Sequence, residues 1–324
     1  MRRLLIVVLV LAGLYGGYWF VGAFAVERQG RALLGELAAD GWQVGFSDLK
    51  TVGFPSRFDT TLSDPALADP KTGIGWKAAF FQLLALSYQP NHLIAIWPDS
   101  QTLTLPGQRV AVQAQGMKAS VSVAPTPALR LDRLTAEVGV ATATSDKGWQ
   151  AEIDHALFAL RPSGAPQGYD LYADVVNLRL PAEVLDVIDP GKALPEPIAD
   201  MHVDSTVTFD RPLDRHAVAG TPPRPTGIAV KSVQAHWGDL ALNGAGNLTI
   251  DTSGQLSGSL DLTLSGWPQI VKMLVGAGLI APQAAPLWTA LGARADGAVK
   301  LTLRLADGRM MLGPLPLGPA PRLF

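Results

Sequence analysis

The first 26 residues constrain this chain more than any other stretch. After Arg2 and Arg3, the run from Leu4 to Val26 carries no charged side chain. As a helix rising about 1.5 Å per residue it would reach roughly 34 Å. The hydrocarbon core of a bilayer is about 30 Å thick, so one pass of this segment crosses it. The arginines precede the apolar run and Glu27 follows it, an asymmetry that keeps the N-terminus cytoplasmic and exports the rest. Tyr15, Tyr18, Trp19 and Phe20 gather toward the outer half, where aromatic rings favour the interface. Two other readings compete. Ala23-Phe24-Ala25 has the small-x-small form of a cleavage site behind a basic start, so the segment also fits a cleaved signal peptide. A signal's apolar region usually runs about 7 to 15 residues, and this one continues unbroken through Val21, which favours a retained anchor. A helix buried in a soluble core leaves the two leading arginines unexplained.

Beyond the anchor, composition sets bounds. Charged residues are 17% of the chain, below a usual figure of about 25%, and apolar residues are 48%. That supply suits a large core, or a smaller core with an apolar groove. A net charge of -2, with no run of five like charges, offers nucleic acid no basic field, so no nucleic-acid partner is expected. The absence of cysteine excludes disulfides, thiol catalysis and cysteine-based zinc sites, and leaves burial to hold an exported domain together.

Residues 26 to 40 place Val26, Leu33, Leu34, Leu37 and Ala38 at helical spacing, closed by Gly41 at a C-cap position and continuous with the anchor. Strands dominate thereafter. Phe54, Phe58, Thr60 and Leu62 share one face of a segment whose other face carries Arg57 and Asp59, a solvent-side pair. Trp76 to Ser87 fits either a short helix or a buried strand, the strand being slightly favoured, and a meander of short strands follows to Ala124 with turns at Pro98-Asp99 and Pro106-Gly107. Leu129 to Ala143 and Trp149 to Leu160 flank a turn at Ser145 to Gly148, and Tyr169 to Leu180 follows with a bulge near Val175-Val176. Pro181 opens a short helix to Asp189. After the strand Met201 to Asp210, the proline-rich loop from Thr221 to Pro225 marks the best internal boundary, at 220–227. Gly227 to His236, Gly238 to Asn243, Gly246 to Asp251 and Gln255 to Ser265 read as strands, the last two joined by the Asp251-Thr252-Ser253-Gly254 turn. Trp267 to Ile280 is a helix with Pro268 in its first turn and Ile270, Val271, Leu274, Val275 and Leu279 on an apolar face. A shorter helix runs through Leu287 and Leu291, and Ala298 to Leu305 is the closing strand.

The predicted fold is therefore mainly β with a few helices. It comprises a long curved, mostly antiparallel sheet, a half-open sandwich or barrel-like form, after one N-terminal transmembrane helix. The predicted organisation is an anchor at 1–26, touching the membrane through residues 4–26, and one periplasmic β-rich domain at 27–324. Three strands carry one-faced apolar rows: Val203, Val207 and Phe209; Leu260, Leu262 and Leu264; Leu301, Leu303 and Leu305. These residues are the candidate apolar groove.

Familiar catalytic patterns are absent: no nucleophile elbow, P-loop, dinucleotide fingerprint, His-Glu-x-x-His or calcium loop occurs. His92, His155, His202, His216 and His236 are scattered, so neither a metal site nor a hydrolase, which would need several of them to meet acids in a cleft, is expected. Asp204 and Asp210 could pair as carboxylates, but a solvated strand face explains them more simply. No cofactor and no enzymatic activity are expected.

Three pieces carry a resemblance: Gly-Phe-Pro-Ser-Arg-Phe-Asp at 53–59, the hairpin Gly-Asn-Leu-Thr-Ile-Asp to Gly-Gln-Leu-Ser-Gly-Ser-Leu-Asp-Leu at 246–262, and the ending Ala-Asp-Gly-Arg-Met-Met-Leu-Gly-Pro-Leu-Pro-Leu. With the anchor, and over nearly the whole chain, they resemble the bacterial family called domain of unknown function 2125. That resemblance implies a Gram-negative, mostly alphaproteobacterial source and no known activity, so no residue role is carried over. The last third is also similar to AsmA-like envelope proteins, which implies an inner-membrane anchor and a curved sheet with an apolar inner face.

The expected function is that of a non-enzymatic inner-membrane protein whose periplasmic domain shelters lipid or acyl chains or assists envelope assembly. The alternative is a structural or partner-binding envelope protein without a ligand.

Overall fold

A computed structural model describes the whole chain apart from Pro190, Ala193, Gly220, Thr221, Ala277 and residues 294–297. The loop boundary expected at 220–227 thus lies partly outside the described residues. The chain is 52% strand and 22% helix, built of large antiparallel sheets that do not close, behind one long apolar N-terminal helix. It divides into two compact units, Met1–Pro125 with Ala136–Gly148, and Thr126–Thr135 with Trp149–Phe324.

The first unit opens with α1 (Arg2–Ala39), a single helix that carries the apolar run straight into the predicted amphipathic stretch. Gly41, at φ 98°, ends it in the left-handed conformation that glycine adopts freely. The strands are β1 (Gln43–Gly45), β2 (Asp48–Val52), β3 (Arg57–Ser63), β4 (Ala66–Asp69), β5 (Ile74–Ala78), β6 (Phe80–Leu86), β7 (Gln89–Ile96), β8 (Ser100–Leu105), β9 (Gln108–Ala114) and β10 (Lys118–Val123). After β11 (Leu131–Val138), which crosses the boundary between the units, comes β12 (Ala141–Ser145). One antiparallel sheet runs β1-β4-β5-β8-β9-β12 and another β2-β3-β6-β7-β10. The predicted strand at 76–87 is two strands in different sheets, broken at Ala79. Phe81 of β6 lies 6.2 Å from Trp76 of β5 and 5.1 Å from Trp97, ring centre to ring centre.

α1 packs on β2 and β3. Glu27 accepts from the Thr51 amide at 2.6 Å, and Arg31 donates to the Leu49 carbonyl at 2.9 Å. Higher up, Trp19 stacks on Phe58 at 5.8 Å and its indole donates to the Arg57 carbonyl at 2.7 Å. Gly22 permits this approach, since a Cβ there would stand 2.7 Å from the Phe58 ring. Trp19, Ala23 and Phe58 form a small buried cluster with Ala85 against it.

The second unit is a succession of antiparallel neighbours in chain order: β14 (His155–Pro162), β15 (Gly168–Leu178), β16 (Ile198–Phe209), β17 (Pro225–Trp237), β18 (Leu240–Ile250), β19 (Leu256–Ser265), β20 (Ala298–Ala306), β21 (Arg309–Leu312) and β22 (Leu315–Pro319), with short β13 (Gln150–Ile153) preceding them. The helices are α2 (Ala182–Ile188), α3 (Arg215–Ala219), α4 (Trp267–Gly276) and α5 (Ala285–Ala293). The segments 129–143 and 149–160 each prove to be two strands, separated at Gly139-Val140 and at Asp154. Residues 238–251, read as two strands, form one, because Gly244 and Gly246 pair in unbroken register with β19, while β17 takes up a register shift opposite them between Val230 and Val233. Asp251 makes the expected turn by accepting from the Ser253 and Gln255 amides at 2.8 and 3.0 Å.

The bulge expected at Val175-Val176 is not there. Both residues pair in register, and the irregularity in β15 is the positive φ of 53° at Asn177, a residue type that tolerates it. Register shifts occur instead in the β16–β17 pair, at Asp204/Ser205 and Thr208/Phe209. α4 ends at Gly276, short of the predicted Ile280.

Trp19 is only 5% exposed. Trp19→Ala removes it and leaves the Arg57 carbonyl without its donor, so the first unit should lose about 3–5 kcal/mol. The urea midpoint of the detergent-solubilised protein measures this.

Candidate functional site

Antiparallel register sets which side chains share a face, and in the second unit it lines up four apolar rows. Met201, Ala235, Leu242, Leu264 and Val299 lie opposite one another from β16 to β20. Next come Val203, Val233, Gly244, Leu262 and Leu301, then Ser205, Val230, Gly246, Leu260 and Leu303. The fourth row is Val207, Ile228, Leu248, Gly258 and Leu305. Phe209 lies on the same face, its ring 6.0 Å from that of Tyr169. All the residues of the predicted groove therefore share one face of one sheet.

Their surroundings differ along it. α4 and α5 cover one end. Leu262, Leu264 and Val299 pack there into a buried cluster with Trp267, Val271, Ile280, Leu312 and Leu315, with Leu260, Leu301 and Leu303 against it. Leu305 belongs to a second cluster with Ile250, Leu256 and Ala320. Val207 is buried, and Val203 and Phe209 are partly so.

Two helix–helix contacts fix the cover. The Trp267 indole donates to the Trp288 carbonyl at 2.6 Å, and a Cβ on Gly292 would stand 2.0 Å from the Trp267 ring. α4 does not fill the space beneath it. Ile270, Met273 and Leu274 roof a cavity of about 330 Å³ whose floor is the sheet around Met201, Ala235, Leu242, Leu262 and Leu264. Every side chain that lines it is apolar. Trp237, at one side, directs its only polar atom away, donating to the Pro195 carbonyl at 2.7 Å. Such a space offers water no hydrogen-bonding partners and suits hydrocarbon. Its volume falls at the lower end of the roughly 300–1,000 Å³ of small-molecule pockets. Met201, at the rim, is 41% exposed. Of the predicted groove residues, Leu262 and Leu264 line this cavity and the other seven do not. On the outer side of α4, a wider hollow of about 710 Å³ lies against α5, with Lys272 and Thr289 among its walls.

The opposite face of the sheet is polar and internally paired. Lys231 donates to Asp170 at 2.7 Å and lies 3.5 Å from Asp204, and Thr206 donates to Asp170 at 2.7 Å. These hydrogen bonds, Lys231's first, hold the Asp170 carboxyl below the usual carboxylate range. Asp210 sits elsewhere, 3.6 Å from Arg211 and accepting from the Arg224 amide, so Asp204 and Asp210 serve different partners. His236 lies 2.8 Å from Asp200, His202 4.0 Å from Asp174 and 4.8 Å from the Tyr172 ring, and His92 2.8 Å from the Ser120 hydroxyl. His216 is beside Arg215. Among the described residues no three His, Asp or Glu side chains group as metal ligands. The Arg57–Asp59 pair forms at 3.0 Å on the exposed side of β3, as expected.

At the N-terminus, α1 is long and apolar enough to cross a membrane. Its best 18-residue window has a mean hydropathy of 2.2 and is almost wholly unburied, which is compatible with single-pass anchoring. The chain matches the family described as "Uncharacterized protein conserved in bacteria (DUF2125)" over residues 19–321 and belongs to it. None of the curated proteins and none of the solved structures compared with it matches.

A carboxylate with a lowered pKa lends stability that is present above its unfolded value, about 3.9, and lost as the pH falls through its folded value. The urea midpoint should therefore drop as the pH falls below about 4, and Asp170→Asn, measured over the same range, should show a shallower drop.

Proposed function

We propose that this member of the DUF2125 family is a non-enzymatic protein of the bacterial inner membrane, its N-terminus cytoplasmic and its β-rich bulk periplasmic, and that it shelters an acyl chain of a lipid in the service of envelope assembly. The cavity beneath α4 carries this reading: it is wholly apolar, and a hydrocarbon chain needs nothing else from its walls. Each methylene moved out of water into it gains about 0.8 kcal/mol. Retention of the anchor is supported by Trp19 and Ala23, which are buried against the first unit and would be lost on cleavage after Ala25. The orientation follows from Arg2 and Arg3 preceding the apolar run.

A second reading makes the protein a structural or partner-binding envelope component whose apolar face is simply closed into a core. It is supported by how completely α4 and α5 bury Leu264, Val299 and Val271.

Uptake of a fluorescent fatty acid by the delipidated protein separates the two. Sheltering predicts saturable binding, weakened about tenfold, or about 1.4 kcal/mol, by Met273→Trp, which fills the cavity from its roof. Lys272→Ala, on the other side of α4, should leave binding unchanged. Absence of uptake by the wild type, or uptake by Met273→Trp equal to it, contradicts a chain in this cavity.

A further inference from the structure

The first unit meets the anchor within its apolar stretch, not after it. Contacts with the sheet begin at Tyr15, whose hydroxyl reaches the Ser87 hydroxyl at 2.7 Å. The free apolar run is then Leu4 to Leu14, which as a helix spans about 16 Å, roughly half a hydrocarbon core of about 30 Å. The helix remains apolar and exposed beyond that point, at Phe20, Val21 and Phe24. Beside residues 15–24 lies the tip of the β2-β3-β6-β7 sheet: the loop Gly53-Phe54-Pro55-Ser56 and the turn Ser87-Tyr88. The tip carries no charge. Phe54 stacks on Phe20 at 5.6 Å and is still 55% exposed, and Tyr88 is 68% exposed.

An independent feature is the hydrogen bonding of this tip. Irregular backbone is tolerated at membrane depth only where its polar groups are satisfied within the protein. Here the Gly53 carbonyl accepts from the Arg57 amide at 2.9 Å, and the Ser56 carbonyl from the Ser87 amide at 2.9 Å. The Pro55 carbonyl accepts from the Ser87 hydroxyl at 3.1 Å, leaving the Tyr15 hydroxyl to donate to Ser87. The Ser87 carbonyl accepts from Tyr18, and the Arg57 carbonyl from Trp19, each at 2.7 Å. Three aromatic side chains from the apolar stretch of α1 thus place their polar atoms on the turn and the start of β3 beside them.

We propose that this tip is part of the membrane-inserted surface: Gly53–Ser56 and Ser87–Tyr88 lie within the outer part of the bilayer on the domain side, beside residues 15–20 of α1, with Phe54 and Tyr88 facing lipid. The partner is a phospholipid bilayer, and the proposal rests on the reading of Leu4–Val26 as a retained anchor. The consequence is positional. The first unit is seated on the membrane at a fixed depth instead of hanging from a tether, and α1 with the tip together make up the thickness that the free helix lacks.

The chain has no cysteine, so single substitutions label cleanly. Full-length Leu9→Cys, Phe54→Cys, Tyr88→Cys and Lys71→Cys would each carry an environment-sensitive nitrobenzoxadiazole dye, in vesicles of phosphatidylcholine and phosphatidylglycerol with or without doxyl-labelled lipid. Lys71 is the reference outside the bilayer, since its amine reaches the Asp40 carbonyl at the far end of α1. Emission at positions 9, 54 and 88 should be blue-shifted and fall by more than half with doxyl lipid, while position 71 stays water-like. Quenching at 9 with water-like emission at 54 and 88 overturns the proposal and leaves the anchor standing. Water-like emission at 9 as well overturns the anchor reading, and the proposal with it. Tyr88 is 68% exposed, so its variant reports even if Phe54→Cys folds poorly.

Discussion

The second unit is governed by a requirement of sheets: alternation gives a strand two faces, and a face made mostly of apolar residues has to be covered. From β16 to β20 the register lays four such rows side by side, and the unit's largest buried cluster forms where α4 and α5 close over them. Gly244, Gly246 and Gly258 thin the face in its middle, which lets neighbouring leucines lean across. A Cβ on Gly244 would stand 2.5 Å from a methyl of Leu262. The cavity is a by-product of the same cover. α4 is held through Trp267 at one end and reaches over Met201 and Ala235 without filling the space below. The walls of that space are apolar and partly open to solvent at Met201, and apolar surface left in contact with water is the physical reason for regarding it as a site.

In the first unit α1 divides its residues between an exposed apolar stretch, compatible with a membrane span, and the domain core. Leu4 to Leu14 is exposed on all sides, as a lipid-facing segment must be, whereas Trp19, Gly22 and Ala23 are fitted to Phe58. Glycine in a helix interior costs roughly 0.5–1 kcal/mol relative to alanine, a cost offset here by the ring contact that Gly22 admits. The polar anchors come lower, at Glu27 and Arg31.

Much of this was legible in the residues. Strict alternation identified the strands at 201–210, 255–265 and 298–305 and the face each presents, and an uncharged run behind two arginines identified the helix long and apolar enough to cross a membrane. The misses have physical causes. Gly244 and Gly246 are break signals by local propensity, and only the neighbouring strands keep them extended. Trp76 to Ser87 is one apolar run, but a kink at Ala79 divides it between two sheets. Register decides which rows meet, and it is set by long-range pairing, so Leu262 and Leu264 could be named as groove candidates while Met273, Trp237 and Leu312 could not be joined to them. The segment 53–59 stands out as a motif, yet its part in docking α1 depends on Ser87, about thirty residues later in the chain.

The account turns on whether an acyl chain occupies the cavity beneath α4 in the cell. Organic extraction and mass spectrometry of protein purified from membranes, with Met273→Trp prepared in parallel, tests this most directly. The account predicts a phospholipid or fatty acid in near-stoichiometric amount with the wild type and depleted from the variant. No lipid above the level of an unrelated single-pass membrane protein, or equal amounts in both preparations, would contradict it.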